Sequence, residues 1–132
     1  MKFSRLEIPE IIECQPLVHT DSRGYFMETL IQNKLEIFLG HSINFCQENQ
    51  TNSSRGVVRG LHYQIPPFAQ NKLVRVVRGA ILDVVVDIRK DSPTFGNHLS
   101  VEISAENNKQ LFIPVGFAHG FVSLVDETVF VY

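Results

Sequence analysis

The sequence predicts an all-β fold, an antiparallel barrel or sandwich carrying one short helix. Three observations lead there. Apolar runs are short and rich in Val, Ile and Phe. They are separated by turn residues at close intervals, as in barrels and sandwiches. One segment alone departs from strand-like patterning. In chain order, strands are expected at Ile11–Gln15, Tyr25–Leu30, Asn44–Gln50, Val57–Gln64, Lys72–Arg78, Ala80–Ile88, His98–Ser104, Gln110–Ile113, Gly120–Leu124 and Thr128–Tyr132. Turns fall at Asp21–Gly24, Arg78–Gly79, Ser92–Pro93 and Asn107–Asn108. The Gly79 turn is expected to close a hairpin. The helix is expected over Gln32–Leu39, where Leu35, Phe38 and Leu39 recur at helical spacing and Gly40 supplies a C-cap. Ile65–Gln70 contains two prolines, which lack the ladder donor, so it reads as a loop between strands.

A chain of 132 residues is expected to form one domain, residues 1–132, with one core. A formal net charge of -2 argues against a nucleic-acid binder, which carries a basic excess. No apolar run reaches membrane-spanning length, and the polar start MKFSRLEIPE does not read as a targeting segment. Cys14 and Cys46 are the only cysteines; they are expected to be free, buried thiols of a cytoplasmic protein. The last residues, Thr128–Tyr132, read as the middle of an apolar strand, so the chain is expected to be truncated at its C-terminus.

Two stretches carry chemistry. In the first, Gly56 precedes His62 by five intervening residues, Gln64 follows, and Lys72 stands six intervening residues before Gly79. The second is Pro114-Val-Gly116-Phe-Ala-His119. Together they resemble the two motifs of the cupin superfamily, which implies an antiparallel jelly-roll barrel, the double-stranded β-helix. Metal-binding cupins carry a second His where this chain has Gln64 and a Glu where it has Lys72. Glutamine is a poor transition-metal ligand, and an ammonium donates no lone pair. His62 and His119 alone are too few for a zinc site. No metal and no cofactor is therefore expected; the Lys72 ammonium is read as occupying the space of an ion.

The resemblance narrows with the ordered set Asp21-Ser-Arg23-Gly-Tyr-Phe26-Met-Glu28, Gln47-Glu-Asn49, Arg59-Gly-Leu-His62-Tyr-Gln64, Lys72-Leu-Val-Arg75-Val-Val-Arg78-Gly79 and Asp83-Val-Val-Val-Asp87-Ile-Arg89, followed by the Pro114–His119 motif. This set is similar to the dTDP-4-dehydrorhamnose 3,5-epimerase family along essentially the whole chain. The resemblance implies inversion of the two carbons flanking the ketone of a nucleoside-diphosphate 4-keto-6-deoxy sugar, through an enolate. It implies His62 as base, Tyr132 acting from the opposite face, Lys72 at the enolate oxygen and His119 in the sugar site. It places Arg23, Phe26, Glu28, Gln47, Asn49 and Arg59 around the nucleotide and diphosphate, where the arginine fork suits phosphate oxygens. It implies a homodimer with exchanged N-terminal strands. The family's histidine base is oriented by an aspartate beyond Tyr132; inside this chain Asp83 is the nominated substitute.

Taken singly, these residues have plainer readings. Lone histidines in barrels are mostly structural, a lysine is usually solvated, and His19, His41 and His98 are read as structural. Arg75, Arg78, Asp87 and Arg89 are read as surface or interface pairing, worth roughly 0–1 kcal/mol each. Rival functions are an epimerase inverting one carbon or using another nucleotide sugar, a metal-dependent cupin, and an inactive sugar-nucleotide-binding barrel left by truncation.

Overall fold

Burial alternates most regularly over Ala80–Asp87, while Gln110–Ile113 is buried on both faces and Val58–His62 is exposed throughout. In the computed structural model, which describes residues 1–132, there are twelve strands and one helix. They are β1 (Lys2–Arg5), β2 (Ile12–Gln15), β3 (Val18–Asp21), β4 (Gly24–Met27), α1 (Gln32–Leu39), β5 (Gln50–Ser53), β6 (Val58–His62), β7 (Lys72–Arg78), β8 (Ala80–Asp87), β9 (His98–Ser104), β10 (Gln110–Ile113), β11 (Phe117–Ser123) and β12 (Thr128–Val131). One sheet has the order β1-β2-β10-β7-β12-β5 and the facing sheet β6-β11-β8-β9, while β3 and β4 form a separate ribbon. Every ladder is antiparallel.

The core lies between the two large sheets. Val74 and Val76 of β7, Ile81 and Val85 of β8, Leu111 and Ile113 of β10, and Phe121 of β11 meet there. Phe121 and Phe130 come from opposite sheets, and their ring centroids are 4.5 Å apart. Such aromatic pairs add stability beyond the area they bury. A smaller cluster on the outer face of the larger sheet buries Leu35 of α1 against Ile12, Cys14, Ile43 and Phe112. The helix ends at Gly40, whose φ of 80° is the left-handed cap glycine favours.

Several expectations need correction. Gly79 does not close a hairpin. β7 and β8 lie in different sheets, and the turn carries the chain around the corner of the barrel. Only glycine fits there: φ is +82° and a Cβ would stand 2.5 Å from Thr128 Oγ1. Asn107–Asn108 makes a second such corner, between β9 and β10. The expected strand at Asn44–Gln50 begins only at Gln50, and of the preceding residues, which line the cavity from Phe45 to Asn49, Asn49 alone pairs by backbone hydrogen bonds, with Tyr132. β11 starts at Phe117, three residues before Gly120, and so takes in His119. β1 and β3 were not expected from the pattern.

Asp87 and Arg89 are not weak surface partners. Asp87 is fully buried and accepts hydrogen bonds from Arg89 Nε at 2.9 Å, Arg89 Nη2 at 2.7 Å, Ser92 Oγ at 2.6 Å and Thr94 Oγ1 at 2.6 Å. The Arg89 guanidinium holds the Asp87 carboxyl well below the usual carboxylate range. Arg89 also reaches Glu10 at 2.7 Å and lies over the Phe117 ring at 4.5 Å. A Cβ on Gly116 would meet Arg89 Cγ at 2.6 Å. The network thus clamps the turn that leads into β11 and His119. Removing one partner from a buried ion pair costs about 3–5 kcal/mol, well above a surface pair.

Candidate active site

β6 is an edge strand whose five residues are all exposed, yet it is positioned closely. In its ladder with β11, His62 stands directly across from His119, and Phe121 across from Arg59. Between those pairs two residues of β6 oppose one of β11, which is a bulge, and bulges re-aim side chains. Gly60 and Gly120 make the bulge possible. A Cβ on Gly60 would lie 2.7 Å from the His119 carbonyl oxygen and 2.9 Å from His62 Nδ1; one on Gly120 would lie 2.7 Å from the Arg59 carbonyl oxygen. The His62 and His119 rings sit 4.8 Å apart, inclined at 56°.

His119 is 1 % exposed, and its Nδ1 lies 3.4 Å from each oxygen of the fully buried Asp83. That is beyond the usual hydrogen-bond range, so the contact is largely electrostatic. Its Nε2 has no protein partner. Burial raises the Asp83 pKa, opposed by the contact with His119 and by the charge of Lys72. Asp83 therefore serves His119 and not His62, a correction to its nomination as the base's in-chain partner.

A cavity of about 600 Å³ opens beside this pair. Its walls include His62, Lys72 and Tyr132, with Gln47 and Asn49 on the crossing segment. Lys72 shares its strand face with Val74 and Val76, so period-two alternation turns it toward the core side. Burial lowers the Lys72 pKa, partly offset by Asp83. Tyr132 stacks on Phe130 at 5.4 Å, and its backbone exchanges two hydrogen bonds with Asn49 at 2.6 and 3.0 Å. Arg59 is not part of that lining; its Nε donates to Ser53 Oγ at 3.1 Å.

Five predicted residues are not in the cavity lining: Arg59, the buried His119, Arg23, Phe26 and Glu28. Arg23 and Phe26 belong to the β3–β4 ribbon and line a separate surface hollow. Arg23 is paired there with Asp21 at 2.6 Å. Glu28 is exposed just past β4, outside the cavity lining. Conversely, Gln70 and Gln110 line the cavity and carried no expectation of function; Gln64, expected only as a departure from the metal motif, lines it too, as does Arg75, a correction to its reading as a surface or interface partner. So does Cys46, which is exposed, against the expectation of two buried thiols; Cys14 is buried, and burial pushes its thiol up to about 12. No group of three or more His, Cys, Asp or Glu side chains comes together in a metal-ligating arrangement. No helix is long and apolar enough to cross a membrane.

The His62 pKa falls from 6.5 to about 4, chiefly through partial withdrawal from water of an imidazole on an otherwise exposed strand, and then through the charges of Lys72 and His119. An imidazole so depressed is neutral, and able to take a proton, well below pH 6. The acid limb of kcat/KM, which reports the free enzyme, is expected near pH 4 and not near 6.5. The same shift has a sign for stability. Between those two values the unfolded chain binds more protons, so this contribution is complete above pH 6.5 and declines as pH falls toward 4. A rate profile with its acid limb at 6.5 would remove His62 as a desolvated base beside Lys72.

Two facing antiparallel sheets of this order, with an imidazole, an ammonium and a phenol around one cavity, define a cupin-type barrel equipped for proton transfer. A family model described as dTDP-4-dehydrorhamnose 3,5-epimerase matches residues 5–132. The dTDP-4-dehydrorhamnose 3,5-epimerase of Shigella flexneri is 52% identical over 132 residues, covering 100% of this chain and 73% of that protein. A crystal structure of dTDP-6-deoxy-D-glucose-3,5-epimerase from Legionella pneumophila, in complex with dTDP-4-keto-L-rhamnose, superposes with a TM-score of 0.94 at 42% identity. The match covers 98% of this chain and 69% of that one. The Bacillus anthracis dTDP-4-dehydrorhamnose 3,5-epimerase, with TDP and PPi bound, gives 0.92 at 42% identity, covering 98% and 74%. The chain belongs to the dTDP-4-dehydrorhamnose 3,5-epimerase family, whose members are isomerases.

Proposed function

We propose that this chain inverts C3 and C5 of dTDP-4-dehydro-6-deoxyglucose through an enolate, with His62, Lys72 and Tyr132 as the catalytic set. His62 removes the proton next to the ketone. Electrons from the broken C–H bond pass to the carbonyl oxygen, where the Lys72 ammonium stabilises the developing charge. Tyr132 delivers a proton to the other face of the same carbon. Arg59, Gln47 and Asn49 hold the nucleotide diphosphate at the mouth, and His119, with Asp83 behind it, backs His62. The observation that carries this reading is the convergence of His62, Lys72 and Tyr132 on one cavity, with His62 neutral across the physiological range.

Arg23, Phe26 and Glu28 enter the same reading through a second copy of the chain. The ribbon that carries Arg23 and Phe26 pairs with neither large sheet, Phe26 is 66% exposed, and β5 has a free edge. In a homodimer with exchanged N-terminal strands these side chains serve the partner's cavity.

The test is solvent exchange. In D2O with the dTDP-4-keto-6-deoxy sugar, mass spectrometry or NMR is expected to show deuterium at C3 and at C5. Label at one carbon only would make the chain a single-carbon epimerase. Binding of dTDP without any label would make it a binding barrel.

A further inference from the structure

Arg59 projects from an exposed edge strand, where a long side chain has many rotamers to lose on binding. It is nonetheless held from behind. β6 ends one sheet and β5 ends the other, and no ladder joins the two strands. The gap is spanned by Arg59 itself, whose Nε donates to Ser53 Oγ at 3.1 Å and whose Nη2 reaches the Asn52 carbonyl oxygen at 3.4 Å. Ser53 is 5% exposed, so water competes little for its hydroxyl. Thr128, its cross-strand neighbour, spends its own hydroxyl on the Val125 carbonyl at 2.9 Å. Nε and Nη2 lie on the same side of a guanidinium. The contacts with β5 therefore occupy that edge and leave the terminal Nη1–Nη2 fork free, with no carboxylate paired to it.

We infer that Ser53 is a positioning residue, which fixes the plane of the Arg59 guanidinium so that its terminal fork meets the diphosphate of the substrate. This rests on the reading of Arg59 as a diphosphate ligand. An arginine with its orientation already set loses less freedom when it binds an anion, so the effect belongs to affinity.

Three variants, Ser53→Ala, Arg59→Ala and the double substitution, test it, with dTDP affinity measured by calorimetry and turnover by deuterium wash-in. Ser53→Ala is expected to weaken dTDP roughly fivefold, the scale of one hydrogen bond, with the loss falling on KM more than on kcat. Ser53→Thr, which keeps the acceptor, is expected to recover most of the affinity. In the Arg59→Ala background, removing the serine hydroxyl is expected to change nothing further, because it acts through the arginine. An affinity for dTDP unchanged in Ser53→Ala, or the same fivefold loss persisting without Arg59, would overturn the inference and leave the proposed function standing. Failure of the unsubstituted chain to bind dTDP at all would overturn both.

Discussion

Replacing His62 with alanine is expected to reduce deuterium wash-in at C3 and C5 to background while dTDP still binds. A positioned general base contributes roughly 10²–10⁴-fold, so loss of the imidazole removes at least that much. The fold tolerates the change, because His62 projects from an exposed edge strand and its backbone pairing with β11 needs no side chain. The nucleotide contacts assigned to Arg59, Gln47 and Asn49 are untouched. The measurement compares wash-in with the dTDP dissociation constant for the same preparation. Wash-in retained in His62→Ala would strip His62 of its role as base and turn attention to His119, the neighbouring imidazole 4.8 Å away.

How far this site could be read in advance depended on whether a local rule fixed each residue. The spans of β7, β9 and β10 follow from short apolar runs between turn residues, and that of α1 from helical spacing, signals that a few neighbouring residues decide. Lys72 was legible only through its cupin spacing to Gly79, and its place in step with Val74 and Val76 on the inward face agrees with that reading. Tyr132 was legible only through the family resemblance; it stands in step with Phe130 beside the cavity. Gly79 shows where the local rule stops. A glycine between two apolar strands looks the same whether the strands pair or diverge into facing sheets, and only the packing of both strands against β12 and β11 decides it. Asp83 and Asp87 were visibly on one face, but their partners lie in loops and strands that sequence periodicity does not connect. His119 is 36 residues from Asp83, and Arg89 reaches Asp87 from the loop after β8. Arg23, Phe26 and Glu28 resemble site residues in sequence yet stand outside the cavity, because the ribbon leaves the body of the barrel and a monomer gives it no sheet to join.

Replacing Lys72 with methionine is expected to slow wash-in by about 10²–10³-fold, or roughly 3–4 kcal/mol in the barrier, the cost of losing one preorganised donor at a developing oxyanion. Methionine keeps an unbranched apolar stem beside Val74, so the loss is of charge and not of packing. The same substitution carries an independent signature. After burial, the Lys72 charge is the largest influence lowering the His62 pKa, so its removal lets that pKa rise from about 4. The acid limb of kcat/KM is expected to move upward with it, stopping short of 6.5 because burial persists. Asp83, deprived of a neighbouring cation, moves further up as well. A slower rate with an unmoved acid limb would mean that Lys72 acts on the substrate but stands away from His62. A rate within a few-fold of the unsubstituted chain would place the ammonium away from the reacting oxygen, leaving the enolate to be stabilised by another group.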